Sequence, residues 1–199
     1  MTTRARNSAA VAALGIVLAL VGAVLTPAHA DTGAWPDRTG DVRRTTFDGS
    51  GDTTTQTTSL VPKRKQGDLR SYRVSYAPER IRMTLGFRDL RRKAGHVWVV
   101  AGLRWGGDRF DEVTLETGPG NRRGRSLLES DPTCAVQHRV DYGRNRMTIV
   151  LPARCLERPD RLRFRVSVHE TDDREDPSYF FKDTAPGAGK RWSPHVDRG

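Results

Sequence analysis

The sequence predicts an all-β protein: a two-sheet antiparallel β-sandwich, jelly-roll-like, of seven to nine strands with one disulfide. Three observations carry this expectation. Apolar and polar residues alternate at period two, most clearly where Ile81, Met83, Leu85 and Phe87 alternate with Arg82, Thr84, Gly86 and Arg88; that pattern buries one face of a strand. Turn signals recur at intervals of about ten residues, as a meander of short strands requires. No segment sustains a 3.6-residue period, so nothing reads as a helix laid on a sheet.

The chain opens on Arg4 and Arg6, followed by an apolar run from Ala9 to Leu25 and then Thr26-Pro27-Ala28-His29-Ala30. A positive region, an apolar region and an A-x-A site in that order are the parts of a secretory signal peptide spanning residues 1–30. The alternative is a retained membrane anchor, for which the apolar run is short against the ~20 residues a span needs. No later segment is apolar enough to cross a bilayer, so the mature protein is expected to be secreted and free of a transmembrane segment.

Residues 31–67 are poor in apolar side chains and rich in Gly, Asp and Thr. They read as an extended first strand near Asp41–Thr46 and a polar loop through Thr53 to Ser59, without a core of their own. The sandwich core is expected over 68–184. Tyr72, Val74 and Tyr76 form one strand. Ala77-Pro78-Glu79-Arg80 turns it into the Ile81–Phe87 strand, giving a hairpin. Val97–Trp105 is more continuously apolar, as a central strand covered on both faces would be. Gly106-Gly107-Asp108 leads into Arg109–Thr117. A break at Gly118–Asn121 and a basic patch at Arg122, Arg123 and Arg125 follow. Further strands are read at Ala135–Tyr142, Met147–Leu151 and Leu162–Val168, with an edge strand at Tyr179–Phe181. Residues 185–199 read as a tail.

Only two cysteines occur, Cys134 and Cys155. In an exported chain an even count predicts a disulfide. The closed loop of about 22 residues is worth roughly 3 kcal/mol in the chain-entropy model. Two cysteines with no paired histidines nearby do not make a zinc set.

The formal net charge is +10, of which the leader contributes Arg4 and Arg6. A basic exported protein is attracted to polysaccharide acids, anionic cell-wall polymer or lipid headgroups. Nucleic acid is not an expected partner, because an exported protein seldom meets it.

Several short pieces resemble those of small exported actinobacterial proteins. These are Asp37-x-x-Gly40-Asp41-Val42, Gly67-Asp68-Leu69, Cys134 with Val150-Leu151-Pro152-x-x-Cys155-Leu156, and Ser193-Pro194-x-Val196. The resemblance runs over most of the chain after the leader. It implies a β-sandwich related in outline to jelly-roll carbohydrate-binding modules, and it brings no established activity with it. The Thr-rich stretch from Thr53 to Ser59 departs from the usual pattern.

Acidic residues cluster at Asp37, Asp41, Asp48 and Asp52, and again at Glu170, Asp172, Asp173, Glu175, Asp176 and Asp183. Ca²⁺ takes six to eight oxygens from carboxylates and carbonyls. If first and last strands lie side by side, Asp37, Asp41 and Asp183 converge on a structural Ca²⁺; solvated loop carboxylates are the bland alternative. Trp105, ahead of a Gly-Gly turn, is a candidate sugar-stacking ring. Trp98 reads as core, and Trp35 and Trp192 as a pair near the chain ends. Arg161, Arg163 and Arg165 share one strand face and Arg82 and Arg88 another; as neighbours they would form a positive sheet face. Enzyme signatures are missing: no G-x-S-x-G elbow, and His169-Glu170 lacks a second histidine. The expected function is a monomeric, non-catalytic binding module at the cell surface, taking carbohydrate or anionic wall polymer. The alternatives are an interaction or inhibitor-like protein that binds another exported protein, and a glycan-active enzyme.

Overall fold

The computed structural model describes residues 30–48, 55–93, 95–171, 179–186 and 191–199. Residues 1–29 of the expected leader and the acidic residues Asp52, Asp172, Asp173, Glu175 and Asp176 lie outside the described residues. In chain order the strands are β1 (Asp31–Pro36), β2 (Arg43–Asp48), β3 (Thr55–Leu60), β4 (Leu69–Ala77), β5 (Arg80–Phe87), β6 (His96–Trp105), β7 (Arg109–Gly118), β8 (Asn121–Leu128), β9 (Gln137–Asp141), β10 (Arg146–Pro152), β11 (Arg161–Thr171), β12 (Tyr179–Ala185) and β13 (Val196–Asp197). No α-helix occurs among the described residues, and none of their helical segments is long and apolar enough to cross a membrane.

Two antiparallel sheets face each other. One has five strands in the order β1-β4-β5-β10-β9. The other has eight, in the order β3-β2-β12-β11-β6-β7-β8 with β13 added to β11. The two-sheet sandwich is the one the alternation predicts. Among the described residues there are thirteen strands against the seven to nine expected, because four weakly apolar segments also pair.

Period two places the core. Tyr72, Val74 and Tyr76 of β4, Ile81, Met83, Leu85 and Phe87 of β5, and Met147, Ile149 and Leu151 of β10 point inward from the five-stranded sheet. They meet Val97, Val99, Ala101 and Leu103 of β6, Val113 and Leu115 of β7, and Leu162, Phe164, Val166 and Val168 of β11. Trp35 stacks on Tyr72 at 5.0 Å and meets Phe164 edge-on at 5.4 Å, so the rings lock β1 over the core. Cys134 and Cys155 are bonded. The bridge ties the segment before β9 to the 3₁₀ turn Ala153–Leu156 after β10.

Several segment readings are corrected. Residues 55–60 of the Thr-rich stretch are not loop: they form β3, paired along β2 from Arg43↔Leu60 to Asp48↔Thr55. Threonine is β-branched and fits a pleated edge strand without a large core contribution. β1 precedes the first strand expected, pairing with β4 over six residues. The basic patch at Arg122–Arg125 lies in the edge strand β8. β12 is no edge strand, since it runs between β2 and β11. The tail is anchored: Ser193 Oγ accepts from Phe164 N at 3.0 Å, Val196 is buried, and Gly199 N donates to Tyr76 O.

Candidate functional site

Three places on the fold carry chemistry. The first lies where the chain crosses from the five-stranded sheet to the eight-stranded one. β1 ends at Pro36, and residues 37–42 pass over to β2. Gly40 turns this crossover with φ +83°, a conformation in which a Cβ is strained and would meet Pro62 O at 3.3 Å. Asp37 N donates to Arg70 O at 2.8 Å, and Gly40 N to Asp68 Oδ2 at 2.9 Å. These bonds hold the crossover against the entry to β4. On the other side β12, next to β2, turns Asp183 inward. Its Oδ2 accepts from Leu69 N at 2.6 Å and its Oδ1 from Thr184 N at 2.7 Å.

Carboxylate oxygens of Asp37, Asp41 and Asp183 therefore lie within 4.8 Å of one another. The three residues proposed from sequence are brought together, because β2 pairs with β12. Asp68, a neighbour that the sequence reading passed over, is fully buried and paired with Arg88 at 2.8 Å through Oδ2. Burial pushes the Asp183 carboxyl up to about 7, and the charges of Asp37 and Asp41 add to that. Burial likewise raises Asp41, with the Asp68 charge contributing. Burial and then the Asp37 charge push the Tyr72 hydroxyl above its ordinary value. Asp48 lies at the end of β2, away from this convergence in the chain. Glu170 faces inward from β11 and pairs with Arg64 at 2.8 Å.

The second place is the end of the eight-stranded sheet. Trp105, Arg161 and Arg163 meet there with Arg104, Gly106, Gly107 and His195 around a hollow of about 260 Å³. Trp105 itself is half-buried and packs against the core, and its indole N–H is enclosed without a partner. Its ring is therefore no exposed stacking platform. Arg165 does not join this hollow: it lies over Trp192 with its guanidinium 5.1 Å from the ring centroid. Trp192 meets Phe110, not Trp35. Trp98, read as core, lies on the outer side of β6, where it is half-buried and stacks on His96 at 5.6 Å.

The third place is the outer face of the five-stranded sheet. Pairing registers align Ala34, Arg73, Thr84, Thr148 and Arg139 in one row across the strands. Thr32, Ser75, Arg82, Val150 and Gln137 form the next, and Ser71, Gly86, Arg146 and Asp141 a third. Short hydroxyl and glycine positions make the floor; Arg70 and Arg144 rise at its side. Two adjoining hollows of about 670 and 360 Å³ share Arg82, Arg144 and Arg146 as common walls. Arg70, Arg73, Arg82, Arg139, Arg144 and Arg146 are all exposed. Of these six, Arg139 alone has an ion pair among the described residues, a 3.6 Å contact with Asp141. No tryptophan or tyrosine lines either hollow.

This arrangement corrects the expected positive face. β5 and β11 belong to different sheets, so Arg82 and the Arg161–Arg165 row look out on opposite sides of the sandwich. Arg88 leaves the face altogether to pair with Asp68. The sequence signal for the real face was available in the outward positions of β4, β9 and β10. It needed the strand order to be read as one surface. No protein-family model matches this chain, and no curated protein is significantly similar to it.

Proposed function

We propose that this protein is an exported, non-catalytic binding module that holds an anionic polymer of the cell surface across the outer face of its five-stranded sheet. The observation that carries the reading is the set of exposed arginines, Arg70, Arg73, Arg82, Arg139, Arg144 and Arg146, over a floor of Ser, Thr and Gly with Asp141 as the acid among its lining residues. Guanidinium forks bind carboxylate and phosphate bidentately. Their spacing favours an extended ligand. Arg73 and Arg139 share a row but stand three strand spacings apart, roughly 14 Å, too far for one small anion. A polymer with charges at regular intervals spans them. The trough lacks exposed Trp or Tyr faces, so neutral-sugar stacking is not its mode of contact. The leader-like segment 1–30 and the Cys134–Cys155 bond support export.

Retention of the intact protein on immobilised polyphosphate, on a polyuronate and on a neutral polysaccharide tests this. Binding to the two polyanions at low salt, weakening steeply as NaCl rises, and no binding to the neutral matrix is the expected result. Retention on the neutral matrix that survives salt would overturn it. So would polyanion binding left unchanged by the combined R73S, R82S and R146S substitutions.

A further inference from the structure

The acidic crossover is not used by the proposed polymer face, and its composition is unusual for a protein interior. Asp37, Asp41 and Asp183 supply carboxylate oxygens within 4.8 Å of one another. Oxygens on opposite sides of a Ca²⁺ ion, each at 2.3–2.6 Å, stand about 5 Å apart, so the spacing is that of a single coordination sphere. A cluster of acids alone does not make a site. Two further polar groups, both nine-tenths or more buried and without partners, point to a ligand. Asp68 has no exposed side-chain surface; its Oδ2 is taken by Gly40 N and Arg88, while its Oδ1 is enclosed with no hydrogen-bond partner. Asp68 lies beside the cluster, because its Oδ2 accepts from Gly40 N, next to Asp41, and the N–H of the following residue, Leu69, donates to Asp183. Tyr72 is 1 % exposed, its hydroxyl is also enclosed without a partner, and it feels the Asp37 charge. Asp41 Oδ1 is in the same condition. Buried oxygens left unmatched cost free energy, and a bound cation would satisfy them together.

The donor set selects the ion. All of these groups are hard oxygens, and no histidine or cysteine belongs to the cluster, which disfavours zinc and copper. The Asp183 oxygens each accept one N–H and keep a further lone pair. Arg88 contacts Asp68, and Arg38 and Arg43 act on Asp41 from a distance. We infer that Asp37, Asp41 and Asp183, with Asp68 alongside, form a Ca²⁺ site that ties the β1–β2 crossover to β12 and so joins the two sheets at this end of the sandwich.

Terbium is a direct probe, because Trp35 stacks on Tyr72 at the edge of the site and can sensitise a lanthanide bound beside it. EDTA-treated intact protein is titrated with Tb³⁺ under aromatic excitation, and its melting temperature is measured with and without millimolar Ca²⁺. The expected result is saturable emission at one ion per chain, reversed by Ca²⁺ before Mg²⁺, and a Ca²⁺-dependent rise in melting temperature of about 5 °C or more. D41N and D183N, each retaining an oxygen at its position, should abolish the emission and the Ca²⁺ shift. If D183N does not fold, the wild-type titration and D41N decide. Absence of saturable emission, a melting temperature indifferent to Ca²⁺, displacement by Mg²⁺ first, or emission unchanged in D41N would each overturn the assignment.

Discussion

The outer faces of the two sheets are built from the same alternation yet end as opposite surfaces. On the eight-stranded sheet the outward residues include rings that cover the sheet and engage its cations. Arg165 lies over Trp192, Trp192 meets Phe110 at 5.8 Å, His96 stacks on Trp98, and Phe180 sits between Phe47 and His169. Gly102 makes the space: a Cβ there would meet the Phe110 ring at 3.1 Å and Trp192 at 3.5 Å. Glu116 stands 3.6 Å from His96, so acids are interleaved with bases on this side. On the five-stranded sheet the outward positions are hydroxyls, glycine and arginine, and the arginines rise from the sheet without rings to lie on. An arginine stacked on an indole contributes to the fold through its stem and its charge. An arginine over a serine floor contributes almost nothing to stability and keeps its charge available. Both faces carry arginine, and the residues beside it separate a ring-covered surface from one whose guanidinium groups stay open.

The comparison breaks or sharpens through graded measurements. The largest expected effect is on binding. Replacing Arg73, Arg82 and Arg146 together by Ser should weaken polyphosphate binding by about 30-fold or more, roughly 2 kcal/mol at 1.4 kcal/mol per tenfold change. The same replacement of Arg161, Arg163 and Arg165 should cost less than about threefold. Equal losses from both triples would show that net charge alone governs binding, and the contrast between faces would fail. Stability should rank the other way. W192A removes an edge-to-face ring pair and the seat of Arg165, and should cost about 1–2 kcal/mol in urea denaturation. R73S should stay within about 0.5 kcal/mol of zero, as for a surface substitution with no partner.

The smallest effect at neutral pH is at His169, on the eight-stranded face. Burial, helped by the positive charge of Lys182 opposite, lowers it from 6.5 to about 4. Between those values the unfolded chain takes up a proton and the folded chain does not. Stability present above pH 6.5 is therefore lost as the pH falls towards about 4. H169Q should leave the urea midpoint unchanged at pH 7.5 and flatten its decline at pH 4.5. An undiminished decline would remove His169 as a contributor.

Much of the fold was legible because alternation is a local property. The β4–β5 hairpin and the strands β6, β7, β10 and β11 follow from which side chains are apolar. β3 and β8 were missed for the same reason: an edge strand of Thr, Ser and Arg buries little, so pairing with a neighbour holds it, and pairing leaves no apolar mark. The acidic site was half legible. Asp37, Asp41 and Asp183 stood out as carboxylates near the two chain ends, whereas Asp68 figured only in the Gly67-Asp68-Leu69 piece and Tyr72 as a ring of an alternating strand.

By itself the sequence determined the β class, the rows of alternating side chains and the Cys134–Cys155 pair, since two cysteines allow one bridge. The tertiary structure alone decided which rows share a surface. Period two says that neighbours along a strand face opposite ways; it does not say which strand lies next to which. Pairing β2 with β12 brought the distant Asp183 to Asp37 and Asp41, and assigning β5 and β11 to separate sheets divided the arginines between an open trough and a ring-covered face. Both outcomes rest on long-range registers set by the packing of the whole core, which no single segment encodes.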